Sequence, residues 1–376
     1  MSDPMVSPIE DLVKTAIKEA IAKRGKIVVG PEGTKVEDIP PVIETPVIKE
    51  VTLKARQILA SSLFKGTFRI EAPEDFGVTI FSPEEFDPKI REFIPSVTST
   101  YALDKSNTLD ILRGWETKDK TLLYGPTAAG KSSLVKELCA WTGRPFVRLN
   151  CTEDMDSSMI FGQQTASDGS THWEDGVITE AVKYGAVFAW DEWDVTPPGI
   201  AMGLQWLLEE DGKLFLKEKP GTAKDKFITP DARFLLVALG NTQGQGDDTG
   251  SFSGTTPQNT ATLDRFGTTL EIKYLKSEVE IKMLANRFPV MSISVIRNLV
   301  KCANLIRQAY TTGQLSITFS PRSTIGVCKK MSESGYSFAR AVDLAYTNKL
   351  TETNRKVAKE LIRKVIGEEK MDDIKE

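Results

Sequence analysis

Cysteine and histidine are scarce in this chain. Four cysteines, Cys139, Cys151, Cys302 and Cys328, are spread over 376 residues with no C-x-x-C pair, and His172 is the single histidine. That scarcity argues against a Cys/His metal cluster and against a disulfide framework; the thiols read as core side chains in a reducing compartment. Apolar runs of membrane-spanning length are lacking, and so is the apolar core of a signal peptide at the N-terminus. The expectation is a soluble, cytoplasmic protein with no membrane partner. Neither sign of charge dominates: 48 Lys and Arg stand against 52 Asp and Glu, a net charge of −4. Such a balance supplies no global attraction to nucleic acid, and no nucleic-acid partner is expected. Internal repeats are lacking too. What remains is ordinary globular composition, 40% hydrophobic and 27% charged, in a chain long enough for two or three domains.

Against that background one stretch carries strong chemistry. Gly125, Gly130, Lys131 and Ser132 fit G-x-x-x-x-G-K-[ST], and the run from Gly125 reads Gly125-Pro126-Thr127-Ala128-Ala129-Gly130-Lys131-Ser132-Ser133. Thr121 to Tyr124 before it reads as a buried strand, and Ser132 to Ala140 has the apolar spacing of a helix. Strand, glycine loop and helix in that order make a phosphate cradle. The glycines let backbone N–H groups turn inward, and the helix N-terminus adds the positive end of its dipole. Lys131 is expected to reach the β- and γ-phosphates and the Ser132 hydroxyl to ligate Mg²⁺.

A second, acidic motif is its natural companion. The apolar strand Ala186 to Trp190 ends in Asp191-Glu192-Trp193-Asp194. In a parallel sheet that puts carboxylates at the C-terminal edge, beside the phosphate loop. Asp191 is expected to hold Mg²⁺ through its water shell and Glu192 to polarise the attacking water, while Asp194 reads as a cap for the following helix. The strand Phe234 to Leu239 ends in Gly240-Asn241-Thr242. Asn241 either orients the lytic water or is a turn asparagine; the residues alone leave both open.

The rest of the chain is organised around these strands. Pro8 to Lys23 has the spacing of an amphipathic helix, Gly25 to Pro46 reads as a linker, and Val51 to Phe64 as another helix. Gly77 to Tyr101 looks extended, and Asp104 to Trp115 helical. Strands are expected at Pro145 to Asn150 and Thr269 to Tyr274. Hairpin-like insertions are expected at Gly162 to Gly176, around Trp173, and between Lys213 and Ile228. Gln243 to Thr260 reads as a mobile loop. From Glu278 onward the pattern is wholly helical and ends in a charged tail, Glu368 to Glu376. The expected fold is α/β, a five-stranded parallel sheet with helices on both faces, followed by an α-helical lid. The expected domains are 1–66, of unknown role, 67–275, the nucleotide-binding domain, and 276–376, the lid.

Taken together, Gly-Pro-Thr-Ala-Ala-Gly-Lys-Ser, Phe-Ala-Trp-Asp-Glu-Trp-Asp, Leu-Gly-Asn-Thr, Leu-Asp-Arg-Phe and Phe-Ser-Pro-Arg-Ser resemble five elements of AAA+ ATPases. These are Walker A, Walker B, sensor 1, the arginine finger and sensor 2. The two insertions resemble those of the MoxR and chelatase branch. Within it the chain looks most like the ATPase subunit of aerobic cobaltochelatase, the CobS type, over roughly residues 77 to 367. Further similar stretches are Leu109-Asp110-Ile111-Leu112, Gly246-Asp247-Asp248-Thr249-Gly250 and Gly335-Tyr336-Ser337-Phe338.

The resemblance implies ATP as the nucleotide, Mg²⁺ as its ion, and a homo-oligomeric ring, a hexamer. It implies Asn241 as sensor 1, Arg265 as the finger inserted into a neighbour's site, and Arg322 as sensor 2, in its own site or a neighbour's. It also implies a partner with a von Willebrand A-type metal-ion-dependent adhesion site and, for a chelatase, a large porphyrin-handling subunit. Three functions stay open: a motor for cobalt insertion into a corrin precursor, a MoxR-like remodeller acting on another protein, and a nucleotide-gated structural ring. Glu192 and Arg265 argue against the third. The residues do not separate the first two.

Overall fold

A computed structural model describes residues 56–167, 169–244, 246 and 257–367. The expected helix at 8–23, the linker at 25–46, most of the loop at 243–260 and the tail at 368–376 lie outside the described residues.

Five strands build one sheet: β1 (Thr121–Tyr124), β2 (Phe146–Asn150), β3 (Val187–Asp191), β4 (Leu235–Gly240) and β5 (Thr268–Glu271), in the order β5-β1-β4-β3-β2. Every neighbouring pair is parallel. β3 and β4 are buried along their whole length, which is why they read as unbroken apolar runs rather than alternating ones. Alternation is still there, divided between two cores. Phe188, Trp190, Leu236 and Ala238 pack on one face of the sheet. Val187, Ala189, Leu235, Val237 and Leu239 pack on the other. Side chains of a strand point alternately to opposite faces, so one apolar run feeds two layers of helices.

The register sets the functional edge. Leu239 and Asn150 both lie opposite Asp191, and Gly240 lies opposite Tyr124. The C-terminal ends of β1, β3 and β4 therefore finish side by side, and helix α1 (Lys131–Thr142) starts just beyond β1.

The expected helix over 51–64 is corrected where the chain is described. Gln57–Leu59 is a strand paired antiparallel with Gly77–Thr79, and only Ala60–Leu63 is helical. Pairing with a distant strand overrides a weak local helix preference. Ala60 and Phe64 belong to the same core as Leu109 and Val135.

Both insertions are hairpins. Gly162–Ser167 pairs with Ser170–Asp175, and Leu214–Phe215 with Phe227–Ile228. Trp173 does not stand free at a tip. It lies half-buried across from Gln164, packs with Phe161 against the core, and donates from Nε1 to Asp175 Oδ1 at 2.9 Å. A Cβ on Gly162 would come within 2.6 Å of its ring.

Beyond Ser277 the chain is helical: Ser277–Arg287, Ile293–Thr311, Pro321–Ser334, Phe338–Ala345 and Glu352–Ile366 surround a core of their own.

Candidate nucleotide site

The loop between β1 and α1 is shaped by backbone that few side chains tolerate. Gly125 has φ +143°, and a Cβ there would meet the Ile272 carbonyl at 2.2 Å. Gly130, at φ 100°, caps α1. Between them Ala128 sits in the left-handed region at φ 60°, a conformation that costs a non-glycine residue free energy and gathers at functional sites.

Lys131, the first residue of α1, is 92% buried, being only 8% exposed. Its ammonium donates to the Gly125 carbonyl at 2.6 Å, the Pro126 carbonyl at 3.2 Å and Asn241 Oδ1 at 3.1 Å. Burial lowers its pKa, while Glu192, Asp191 and Asp194 nearby favour the charged form. Asn241 passes the line on, donating from Nδ2 to Glu192 Oε2 at 2.9 Å. Glu192 follows β3 with left-handed backbone, φ 55°. Burial raises its carboxyl above the ordinary range, the Asp191 and Asp194 charges push the same way, and Lys131 and Arg148 oppose them.

Asp191 is the other hub. Its Oδ2 accepts from Ser132 Oγ at 2.8 Å and pairs with Arg148 Nε at 2.6 Å. Beneath both lies Asp194, fully buried. Its Oδ2 accepts from the Asn241 and Thr242 amides at 3.0 and 2.9 Å and from Thr242 Oγ1 at 3.0 Å. The expected cap for the next helix is thus corrected: that helix, Pro198–Gln205, has Pro197 at its N-cap and no side-chain cap. Asp194 instead fastens the end of β4 to the end of β3.

These groups face a cleft of about 380 Å³ whose walls include Thr127 to Ser133, Arg148, Asp191, Glu192 and Asn241. The helical domain closes it with Met283, Arg287, Arg322 and Ile325. Arg322 therefore shares a cleft with Lys131 within one chain. Gly125 and Pro126 contribute carbonyls to Lys131 rather than cleft wall. Arg265 is not among the lining residues. Its Nε donates to Oε1 of Glu209, the residue that ends the Trp206–Leu208 turn, at 2.6 Å.

Sequence reading missed Arg148, Asp194's role and Tyr101, whose side chain also lines the cleft. Arg148 left one faint signal, a charge inside the strand Phe-Val-Arg-Leu-Asn. Its meaning depends on the β2–β3 register, which no local pattern encodes.

The donor set fits a magnesium nucleotide. A hydroxyl and a carboxylate share one hydrogen bond beside a buried ammonium, and Mg²⁺ binds through one or two protein oxygens while keeping several waters.

Residues 120–266 match the AAA domain family, dynein-related subfamily. The chain is 27% identical over 283 residues to aerobic cobaltochelatase subunit CobS of Sinorhizobium sp, covering 73% of this chain and 83% of that protein. It is 25% identical over 295 residues to the uncharacterized protein YojN of Bacillus subtilis (strain 168), covering 76% of this chain and 91% of that one. A shorter match, 38% over 71 residues, joins it to protein NorQ of Paracoccus denitrificans (strain Pd 1222), covering 19% of this chain and 26% of that one. With a phosphate loop, an acidic strand end and a strand-tip asparagine on one sheet edge, residues 120–266 carry the features of the AAA domain they match, and the chain as a whole is similar to CobS and, over a shorter stretch, to NorQ.

Proposed function

We propose that this chain is a ring-forming motor that hydrolyses ATP to remodel a partner. The observation that carries the reading is the hydrogen-bonded line Lys131–Asn241–Glu192, which stands beside Asp191 and Ser132 on the C-terminal edge of the sheet, with Arg322 across the cleft. Gly125 to Ser133 cradle the phosphates, and Lys131 turns from the Gly125 carbonyl to the β- and γ-oxygens. Ser132 and Asp191 would hold Mg²⁺, which would neutralise phosphate charge. Glu192, its proton affinity raised by burial, accepts a proton from the attacking water, and Asn241 holds the Glu192 carboxylate in line. Arg322 senses the nucleotide from the helical domain. Arg265 acts in the neighbouring subunit's site after leaving Glu209, which makes a ring, a hexamer, the working form.

The test is Glu192→Gln. It should bind a fluorescent ATP analogue as wild type does and lose at least about a hundredfold in turnover, the usual worth of a positioned base. Turnover within about twofold of wild type would remove Glu192 from that role.

For the partner, the match to a cobaltochelatase subunit along most of its length supports a motor for cobalt insertion into a corrin precursor. It would work with a von Willebrand A-type subunit and a large chelatase subunit. The NorQ match supports the alternative, a MoxR-like remodeller of another protein. Met202, Trp206 and Phe215 are exposed beside the hairpins and offer apolar contact area to such a partner. ATP-dependent cobalt insertion in a reconstituted mixture separates the two: its failure with both subunits present would leave the remodeller.

A further inference from the structure

Arg148 binds where a cation is needed. It stands on β2, the edge strand of the sheet, paired in register with Ala189, and its side chain is 44% exposed along the cleft wall. Its Nε lies 2.6 Å from Asp191 Oδ2, the same oxygen that accepts from Ser132 Oγ at 2.8 Å. The other carboxylate oxygen, Oδ1, accepts from the Glu192 amide at 3.1 Å. Both oxygens of Asp191 are therefore engaged. The charges nearest them are Glu192, Asp194 and Lys131, and Arg287 and Arg322 line the same cleft. Arg148 is the cation that pairs directly with the Asp191 carboxylate.

We propose that Arg148 is a built-in stand-in for the divalent cation: its guanidinium neutralises Asp191 while the site is empty and is displaced when the metal arrives with nucleotide. The inference rests on the assignment of Ser132 and Asp191 to Mg²⁺. A guanidinium is always charged, so it fills the role at any working pH. Asp191 is largely buried and Arg148 half-exposed, so the pair is stronger than a surface ion pair, yet a divalent ion with twice the charge can replace the guanidinium. Two consequences follow. The empty site rejects free cations, because Asp191 is already paired. Once displaced, Arg148 lines the cleft beside the phosphates, so metal entry and delivery of a further positive charge are one event.

The experiment is a Mn²⁺ titration of the nucleotide-free full chain, followed by electron paramagnetic resonance of the free ion. Wild type should bind Mn²⁺ weakly. Arg148→Gln should bind at least about tenfold more tightly, since one charge pair at an effective dielectric near 20 exceeds that factor. Arg148→Lys should remain wild-type-like, and Arg148→Gln with Asp191→Asn should lose the gain. A merely structural role for Arg148 would not raise metal affinity. Arg148→Gln affinity within about twofold of wild type would overturn the proposal, as would a gain that survives Asp191→Asn. Circular dichroism of each variant guards against misfolding, which an edge strand with a half-exposed side chain should tolerate. The titration contains no nucleotide, so it decides Arg148 separately. Failure of wild type to bind any adenine nucleotide would instead sink the reading of the whole site.

Discussion

Replacing Glu280 by alanine should loosen the helical domain, and with it the wall of the nucleotide cleft. Glu280 is fully buried, and the side chain of Arg307 is 9% exposed. The pair is bidentate: Arg307 Nη1 meets Glu280 Oε2 at 2.7 Å and Nη2 meets Oε1 at 2.9 Å. Thr324 Oγ1 donates to the same carboxylate at 3.0 Å, Arg307 Nε donates to the Phe319 carbonyl at 2.8 Å, and the guanidinium lies 4.6 Å from the Tyr274 ring centre. The carboxylate thus ties together the helices Ser277–Arg287, Ile293–Thr311 and Pro321–Ser334, the last of which carries Arg322. Glu280→Ala leaves a guanidinium buried without its partner, which costs about 3–5 kcal/mol. At about 1.4 kcal/mol per factor of ten, local opening should become roughly 10²–10⁴ times more frequent. A domain stable by the usual ~5–15 kcal/mol would stay folded near room temperature but melt earlier. Hydrogen exchange by mass spectrometry reads this directly, as faster exchange across residues 293–311 and 321–334 with the sheet unchanged. The double replacement Glu280→Met with Arg307→Met removes both charges and should recover most of the protection, because an apolar pair of similar volume avoids the desolvation cost. Exchange within about threefold of wild type in Glu280→Ala, or a double variant as loose as the single one, would refute the reasoning.

Other outcomes follow from the same structure. Lys131→Met should abolish nucleotide binding in a fluorescence titration while leaving the melting temperature within a few degrees, because the ammonium is held by carbonyls and Asn241 rather than by an ion pair of its own; retained affinity would remove Lys131 from phosphate contact. Arg265→Ala should bind nucleotide yet poison mixed rings, so that hydrolysis falls more steeply than the mutant fraction; a fall in simple proportion, with co-assembly confirmed, would confine Arg265 to its Glu209 contact. Asp231 gives a pH signature. Burial opposes its ionisation, but hydrogen bonds and charge from Arg233 more than offset this and hold the carboxyl below its ordinary range. Its stabilisation is therefore complete above the unfolded value, near 3.9, and is lost as pH falls through the lower folded one. The urea midpoint of Asp231→Asn should lie below wild type at pH 7 and converge with it in acid, by less than about 1 kcal/mol since the pair is partly exposed; a gap that widened in acid would reverse the assignment.

Much of this protein is determined by sequence alone, because its signals are local. A glycine loop needs unusual backbone at Gly125 and Gly130, and only glycine supplies it cheaply, so the phosphate loop is written in residue types at fixed spacing. Strands buried on both faces must be apolar throughout, so β3 and β4 show as runs that end where the carboxylates and Asn241 begin. The helical domain announces itself by its period. Tertiary structure decided what depends on partners distant in the chain. Gln57–Leu59 is a strand because Gly77–Thr79 lies beside it. Trp173 anchors its hairpin because Gly162 leaves room for the ring. Asp194 serves Asn241 and Thr242, nearly fifty residues on, rather than the next helix. Arg148 meets Asp191 because β2 pairs with β3 in one register, and a shift of one residue would turn its side chain to the opposite face of the sheet.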